Sequence, residues 1–122
     1  MKKTILYIAC ILGVLSIVLG AFGAHLLEDH LTIERLQTFE TGVRYQFYHV
    51  FFLIALGLSF DKFSQHLMKY AFYFCVSGMV LFSGSLYILC LTNNSLFGAI
   101  TPIGGVSFIA AWFCFFLAIK NT

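Results

Sequence analysis

The chain has 122 residues, of which 61% are apolar, 18% aromatic and only 10% charged. An average soluble domain is about 45–50% apolar and about 25% charged, and so short a chain has too little interior to hide this much apolar surface from water. The composition excludes a disordered or collagen-like chain and a water-soluble monomeric enzyme. The net charge of +2 is too small to favour a nucleic-acid partner. The remaining class is an integral membrane protein.

Four apolar segments follow one another along the chain, at residues 4–24, 44–60, 70–91 and 97–119. One membrane crossing needs about 20 apolar residues, and backbone groups in hydrocarbon must be hydrogen-bonded within their own segment, so each segment is expected to be helical. The last two segments are joined by a strong turn signal, Asn93, Asn94 and Ser95. The sequence therefore predicts one all-α membrane domain, residues 1–122, that forms a four-helix bundle.

The distribution of basic residues predicts how the bundle is oriented. Two of the seven, Arg35 and Arg44, lie in or beside the loop between the first two spans. The other five lie at the termini or between the second and third spans: Lys2, Lys3, Lys62, Lys69 and Lys120. Because cytoplasmic loops carry the excess of Lys and Arg, we expect both termini in the cytoplasm and the loop 25–43 on the outer face.

The loop 25–43 has a helical pattern of its own. Leu36, Phe39 and Val43 recur at helical spacing among charged and polar residues, and Thr32 is placed to cap the N-terminus of such a helix. The pattern predicts a short interfacial helix whose apolar face lies in the headgroup layer. This helix either leads the chain into the second span or forms a lid that gates a substrate.

Small residues recur at spacings that bring membrane helices together. In the first segment, Gly13 and Gly20 are seven residues apart, and Gly20 and Ala24 are four apart. Such stripes let two helix backbones approach closely. We expect the helix-packing positions to include Gly13, Gly20, Ala24, Gly84, Gly104 and Ala111.

Four strings carry a resemblance that covers nearly the whole chain. They are GAFGAH at residues 20–25, TGVRYQFYH at 41–49, FSGSLY at 82–87 and GAITPIGG at 98–105. In this order and at these distances, they resemble the family catalogued as domain of unknown function 423, which are small bacterial membrane proteins with four predicted spans. The resemblance implies the fold and a location in the bacterial inner (plasma) membrane, and it carries over no catalytic residue.

On this topology the four strings gather near the outer leaflet, and their polar residues are the candidate site. Gln46 and His49 are three residues apart on one helical face, and Tyr45 and His49 are four apart. Polar groups at membrane depth should face the bundle interior and pair there. The candidates for a structural clamp, or for a ligand or lipid site, are His25, Arg44, Tyr45, Gln46, His49 and Tyr87.

Arg44 has two interpretations that the sequence leaves open. It follows Glu40 by four residues, which is the spacing of an ion pair along a helix. Alternatively, its planar guanidinium group binds a lipid phosphate through two hydrogen bonds. An arginine at the level of the headgroups is well placed for either role.

Signals for catalysis or for a cofactor are weak. The chain has no phosphate loop, no G-x-S-x-G and no H-E-x-x-H motif. His25, Glu28 and Asp29 could share a metal-binding face, but charges that follow a membrane helix are usually solvated. The four cysteines lie in apolar runs and are interpreted as small buried hydrophobes rather than a redox or metal site: Cys10, Cys75, Cys90 and Cys114. We therefore predict no enzymatic activity, no metal and no cofactor.

These observations lead to three hypotheses of function. The first is a non-enzymatic multi-pass membrane protein whose outer-leaflet polar cluster stabilises the bundle and binds a lipid or a partner. The second is a small transporter or channel, which would be oligomeric because four helices enclose little space. The third is a haem or metal redox protein. The expected partners are the lipid bilayer and, in a homo-oligomer, further copies of the chain, with no nucleic acid.

Overall fold

The computed structural model describes residues 1–122, and it consists of helices and short connections without any strand. The helical residues form four long segments, which we number α1 to α4: Lys2–Leu27, Ile33–Leu58, Gln65–Thr92 and Leu96–Lys120. A short 3-10 turn, Phe60–Lys62, lies between α2 and α3. The all-α prediction is confirmed.

Three of these helices, α1, α3 and α4, are long and apolar enough to cross a membrane. The exception is α2, because charged and polar residues interrupt its first half. With 26 residues it is nevertheless as long as α1, and at a rise of about 1.5 Å per residue a helix of that length reaches about 39 Å. The sequence pattern predicts a second span that begins near Arg44, whereas α2 begins at Ile33.

The N-terminus of α2 lies where the sequence predicts a helix cap. The Thr32 side chain accepts a hydrogen bond from the backbone N–H of Arg35 at 3.1 Å, which confirms the predicted cap. The interfacial helix and the second span form one continuous helix, because no residue between them breaks it. Gly42 lies in the middle of α2, and its missing side chain leaves room for α3: a Cβ at Gly42 would lie 2.8 Å from the Tyr87 ring.

The helices pack chiefly as two antiparallel pairs, α1 against α2 and α3 against α4. Most of the apolar core lies in the half of the bundle that contains both termini, where Ile5, Leu53, Leu56 and Met68 are fully buried. The half that contains the α3–α4 turn has a smaller core of three buried residues: Phe39, Val43 and Cys90. The candidate site begins in this second half and extends to the edge of the larger core, which includes Phe108.

The turn between α3 and α4 follows the prediction from the sequence. Asn93 ends α3 in the left-handed conformation, with φ of 55°. The Asn94 side chain accepts a hydrogen bond from the backbone N–H of Leu96 at 3.0 Å, at the start of α4. Pro102 lies inside α4 and does not end it.

Two helices contain a π-helical segment, α1 at Val18–Gly23 and α3 at Met79–Gly84. Such segments close their hydrogen bonds from residue i to i+5, and they occur frequently at functional sites. Both segments contact the same part of α2. Gly20 lies against Val43, and the α3 segment reaches the backbone of Gly42. The π segments therefore change the helical periodicity on both sides of α2 at one level of the bundle.

Candidate functional site

The four sequence strings form one layer of the bundle, which we call the motif layer: residues 20–25, 41–49, 82–87 and 98–105. On one side of the layer, Gly20 of α1 packs so tightly on α2 that a Cβ there would lie 3.0 Å from the Val43 side chain. On the other side, the Ser83 hydroxyl of α3 donates a hydrogen bond to the backbone carbonyl of Gly42 at 2.6 Å. Thus α1 and α3 both contact α2 through their motif strings.

The motif strings of α3 and α4 also contact one another. The Ser85 and Thr101 hydroxyls share a hydrogen bond of 2.6 Å. Gly104 lies directly against the backbone of α3, where a Cβ would collide with Leu81 and Phe82. All four strings therefore meet in one layer, as the sequence predicts.

Gln46 joins three helices in the motif layer. Its Nε2 donates to the backbone carbonyl of Leu12 on α1 at 3.2 Å, and its Oε1 accepts the Tyr87 hydroxyl of α3 at 2.6 Å. The Tyr87 ring also lies 5.3 Å from the ring of Phe39. Every buried side-chain nitrogen and oxygen in the chain has a hydrogen-bond partner. Gln46 and Tyr87 therefore form a fully satisfied clamp between α1, α2 and α3.

His49 lies on the α4 side of α2 and has both ring nitrogens engaged. Its Nδ1–H donates to the backbone carbonyl of Tyr45 at 2.7 Å, and its Nε2 accepts the indole N–H of Trp112 at 3.0 Å. The ring stacks on Phe108 with centroids 3.6 Å apart and planes within 9°. These contacts select the neutral imidazole with its proton on Nδ1. A metal ion could bind Nε2 only after the Trp112 hydrogen bond is broken.

A glycine makes room for this stacked arrangement. Gly78 of α3 faces Phe108, and a Cβ at Gly78 would lie 2.5 Å from the Phe108 ring. The Phe108 ring of α4 therefore lies between the bare backbone of α3 at Gly78 and the His49 imidazole of α2. Gly78 is not among the packing positions predicted above, although it lies seven residues from both Ala71 and Ser85.

A groove of about 440 Å³ opens on the flank of the bundle between α2 and α4, and we call it the lateral groove. Its lining is mostly apolar and includes Tyr45, His49, Phe82, Pro102, Gly105 and Trp112. The Tyr45 ring packs on Phe82 at 4.7 Å, while Trp112 is half exposed. Since the His49 imidazole and the Trp112 N–H are already paired, the groove presents few free polar groups.

Arg44 and Glu40 border a second concavity on the other flank of α2, which we call the α1–α2 groove. This groove has a volume of about 290 Å³. Both side chains are exposed, and no ion pair joins them. The helical pair that the sequence offered is therefore not formed, in keeping with the small gain that an exposed pair provides. The remaining lining residues are Gly20, Ala24, Phe39 and Val43.

His25 does not join the buried network. Its side chain is exposed, and its Nδ1 lies 3.6 Å from the Glu28 carboxylate one turn later. The π segment of α1 explains this position, because its wider turn directs Gly23 toward Phe39 of α2, and His25 then points away from the bundle. His25, Glu28 and Asp29 do not converge, and no group of three His, Cys, Asp or Glu side chains is arranged to hold a metal.

Most of the predicted packing positions lie at helix contacts: Gly13, Gly20, Ala24, Gly104 and Ala111. Gly84 differs, because a Cβ there would find no heavy atom within 4 Å. Gly84 follows Ser77 by seven residues, and this spacing of small residues indicates a helix contact only in a regular α-helix. The π segment Met79–Gly84 lies between these two residues and changes that spacing.

Two contacts between the helices of the motif layer are not predicted from the sequence. Trp112 is the partner of His49, and Ser83 joins α3 to the backbone of α2. Trp112 is the only tryptophan of the chain, and a buried or half-buried indole N–H usually finds a hydrogen-bond partner. That rule could have identified Trp112. The motif string FSGSLY contains Ser83, but the sequence does not show which of its two serines faces α2.

Comparison with known proteins identifies the family. The model of the family described as "Protein of unknown function (DUF423)" matches residues 19–105, which include the whole motif layer. The chain belongs to this family. It is 44% identical over 111 residues to the UPF0382 membrane protein YwdK of Bacillus subtilis, an alignment that covers 90% of each chain. No solved structure matches the chain.

Other relatives agree on the class of protein and its location. The chain is 42% identical over 110 residues to the UPF0382 membrane protein SH2409 of Staphylococcus haemolyticus, covering 90% of this chain and 89% of that protein. It is 37% identical over 111 residues to the UPF0382 inner membrane protein YgdD of Escherichia coli K12, covering 91% of this chain and 85% of that protein. With its three apolar helices, the chain is a multi-pass protein of the bacterial cell membrane.

Proposed function

We propose that the chain crosses the membrane four times, with both termini in the cytoplasm. Helix α2 is long enough to cross, and its polar residues Gln46 and His49 are buried and hydrogen-bonded inside the bundle, away from hydrocarbon. The excess of basic residues on the side of the termini supports the orientation. In this arrangement the motif layer lies toward the outer leaflet.

Within this bundle, the motif layer stabilises the helices and binds a membrane lipid. The observation that carries the lipid proposal is the lateral groove of about 440 Å³, which is apolar and open on the flank of the bundle. In a bilayer such an opening faces the acyl chains of the surrounding lipids, so the proposed ligand is a lipid acyl chain. Pro102 and Gly105 leave space on the α4 side of the groove, because neither residue has a large side chain.

The hydrogen bonds of the motif layer favour a non-enzymatic role. A general base needs a free nitrogen or oxygen within reach of its substrate, but both nitrogens of His49 are occupied. A nucleophilic hydroxyl needs an adjacent base, whereas the Ser83 hydroxyl donates to a backbone carbonyl and Ser85 is bonded to Thr101. The buried polar groups of the layer are therefore engaged in hydrogen bonds, most of which join two helices.

Lipid retention by variants of the lateral groove tests this proposal. The full chain is reconstituted in nanodiscs of phosphatidylethanolamine and phosphatidylglycerol, released into mild detergent and weighed by native mass spectrometry. Gly105→Leu fills the groove without a backbone clash, because a Cβ there would approach only Phe82, at 3.9 Å. Gly84→Leu is the matched control, since it places the same side chain in open space. We expect the wild-type and G84L proteins to retain more lipid than G105L.

The outcomes that contradict the proposal are distinct. Equal retention by all three proteins would overturn the lateral groove as the binding site. Release of the wild-type chain without any lipid would overturn lipid binding itself. Thermal unfolding of the same detergent samples separates loss of lipid from loss of fold in G105L.

A further inference from the structure

The α1–α2 groove has a chemistry of its own, distinct from that of the lateral groove on the opposite flank of α2. We infer that it binds the headgroup of a zwitterionic aminophospholipid, with Arg44 on the phosphate and Glu40 on the ammonium group. The ligand is therefore a lipid whose headgroup carries a primary amine, in contrast to a purely anionic phospholipid.

The two charges that border this groove have opposite signs and no partner within the chain. Lys2 pairs with Asp61 and His25 lies beside Glu28, and neither contact involves Arg44 or Glu40. A guanidinium group binds phosphate through two parallel hydrogen bonds, and a carboxylate accepts hydrogen bonds from an ammonium group. A zwitterionic headgroup satisfies both side chains at once.

The order of the two charges along α2 matches the order of the two headgroup charges. The start of α2 is level with the α3–α4 turn, because Arg35 Nε donates to the Asn93 side chain at 2.8 Å. Glu40 is therefore nearer this end of the bundle than Arg44, by four residues or about 6 Å. In an aminophospholipid the phosphate is attached to the glycerol and lies deeper, while the ammonium group lies farther out. Arg44 and Glu40 follow this order.

The surroundings of the groove favour a lipid over a soluble ligand or a second protein helix. The face of α1 that points away from Gly20 and Ala24 carries Phe22 and Leu26, which are 64% and 71% exposed, so this end of α1 is surrounded by lipid in a bilayer. The small residues Gly20 and Ala24 form the α1 side of the groove, and Glu40 and Arg44 contribute its charged rim on α2. A volume of about 290 Å³ accommodates a headgroup and glycerol, whereas a packed helix is about 10–12 Å in diameter.

Headgroup selectivity tests this inference separately from the lateral groove. The chain carrying Gly105→Leu, in which the lateral groove is filled, is reconstituted in nanodiscs with equal phosphatidylethanolamine and phosphatidylglycerol. Native mass spectrometry then gives the ratio of the two lipids that remain bound. We expect phosphatidylethanolamine to be enriched about fivefold, the effect of one charged contact near a membrane surface.

Single substitutions that remove one charge identify the residues responsible for the headgroup preference. Glu40→Gln keeps one oxygen acceptor but removes the negative charge that attracts the ammonium group, so the enrichment should be lost. Arg44→Gln should reduce retention of both lipids. Glu34→Gln is the matched control, because Glu34 is an exposed carboxylate of α2 outside this groove, and the ratio should not change. Lipids retained in the ratio of the bilayer, or an E40Q protein with the parent's ratio, would overturn the inference.

The reversed pair E40R/R44E distinguishes a lipid headgroup from a second copy of the chain. It keeps both charges but places the cation toward the surface, so preference for phosphatidylethanolamine should be lost. If Glu40 and Arg44 instead paired across a two-fold axis, the parent would show the mass of a dimer, E40R alone would lose it, and the reversed pair would regain it. That pattern of dimer masses would replace the headgroup site with a protein interface.

Discussion

Gln46 uses both ends of its amide to connect α2 with its two neighbours. One end reaches the backbone of Leu12 and the other the Tyr87 hydroxyl. An apolar residue at this position could pack but could not define the rotation of α2 relative to both helices. In a membrane, where lipid competes for apolar contacts, such hydrogen bonds add specificity that packing alone lacks.

We predict that Tyr87→Phe destabilises the bundle by about 1 kcal/mol, the usual range for a hydrogen bond between membrane helices. The variant removes the hydroxyl that donates to Gln46 at 2.6 Å and leaves the amide oxygen unpaired. Tyr73→Phe is the control, because Tyr73 lies on the same helix and is 54% exposed. Equilibrium unfolding in mixed detergent measures both free energies. Equal effects of the two variants would show that the Gln46–Tyr87 hydrogen bond adds nothing to stability.

At the same scale, the sequence identifies which polar residues matter better than it identifies their partners. Gln46, His49 and Tyr87 are predicted as a buried group, and all three are engaged inside the bundle. The sequence does not reveal that His49 pairs with Trp112 on α4, because pairing depends on helix rotation. The membrane helices are apolar on all of their faces, so a difference in polarity between faces does not show how each helix is rotated. His25 is predicted in the same group but is exposed, because the π segment of α1 turns its side chain away from the bundle.

Helix α2 differs from the other three elements because its polar residues face two environments. Gln46 and His49 point inward and are paired, whereas Glu40 and Arg44 point outward at the end of the bundle farther from the termini. The apolar pattern therefore indicates only its second half, and the sequence predicts a span that begins near Arg44. The Thr32 cap was predictable, since capping depends on local chemistry alone.

The π segments of α1 and α3 belong to the features that sequence periodicity cannot predict. Their hydrogen bonds run from i to i+5, so spacing rules based on 3.6 residues per turn fail across them. Gly84 illustrates this failure, because it has open space where the seven-residue pattern places a contact. Gly104 lies in a regular helix, and there the pattern succeeds.

The contrast between these two glycines gives a prediction at the scale of helix packing. Gly104→Ala should destabilise the protein by about 1–3 kcal/mol, the range for overpacking, because its Cβ would collide with the backbone of α3 at Leu81 and Phe82. Gly84→Ala should leave stability unchanged or slightly raised, since alanine is the better helix former. Thermal unfolding in detergent compares the two variants with the parent. If G104A had the same unfolding temperature as the parent, α3 and α4 would be able to move apart at this position without loss of stability.

At the scale of the whole molecule, the two halves of the bundle are held together differently. The half with the termini contains the larger core, in which large apolar side chains such as Leu53 and Met68 are fully buried. The half with the motif layer contains small residues, hydroxyl groups and the Gln46 clamp. Small residues leave gaps between helices at the surface, and both grooves lie there. The proposed lipid sites therefore lie in the part of the bundle that small residues and hydrogen bonds hold together.

This division of the bundle gives its orientation a functional consequence, because the motif layer faces the outer leaflet only if both termini are cytoplasmic. We predict that Asn94→Cys, in a chain without native cysteines, reacts with a membrane-impermeant maleimide added to intact spheroplasts. Lys62→Cys should react only after the membrane is opened. Both positions are exposed in connections at opposite ends of the bundle, so they are equally reactive in detergent. If only the Lys62→Cys protein were labelled from outside, the orientation would be the opposite of the proposed one, and both grooves would lie toward the inner leaflet.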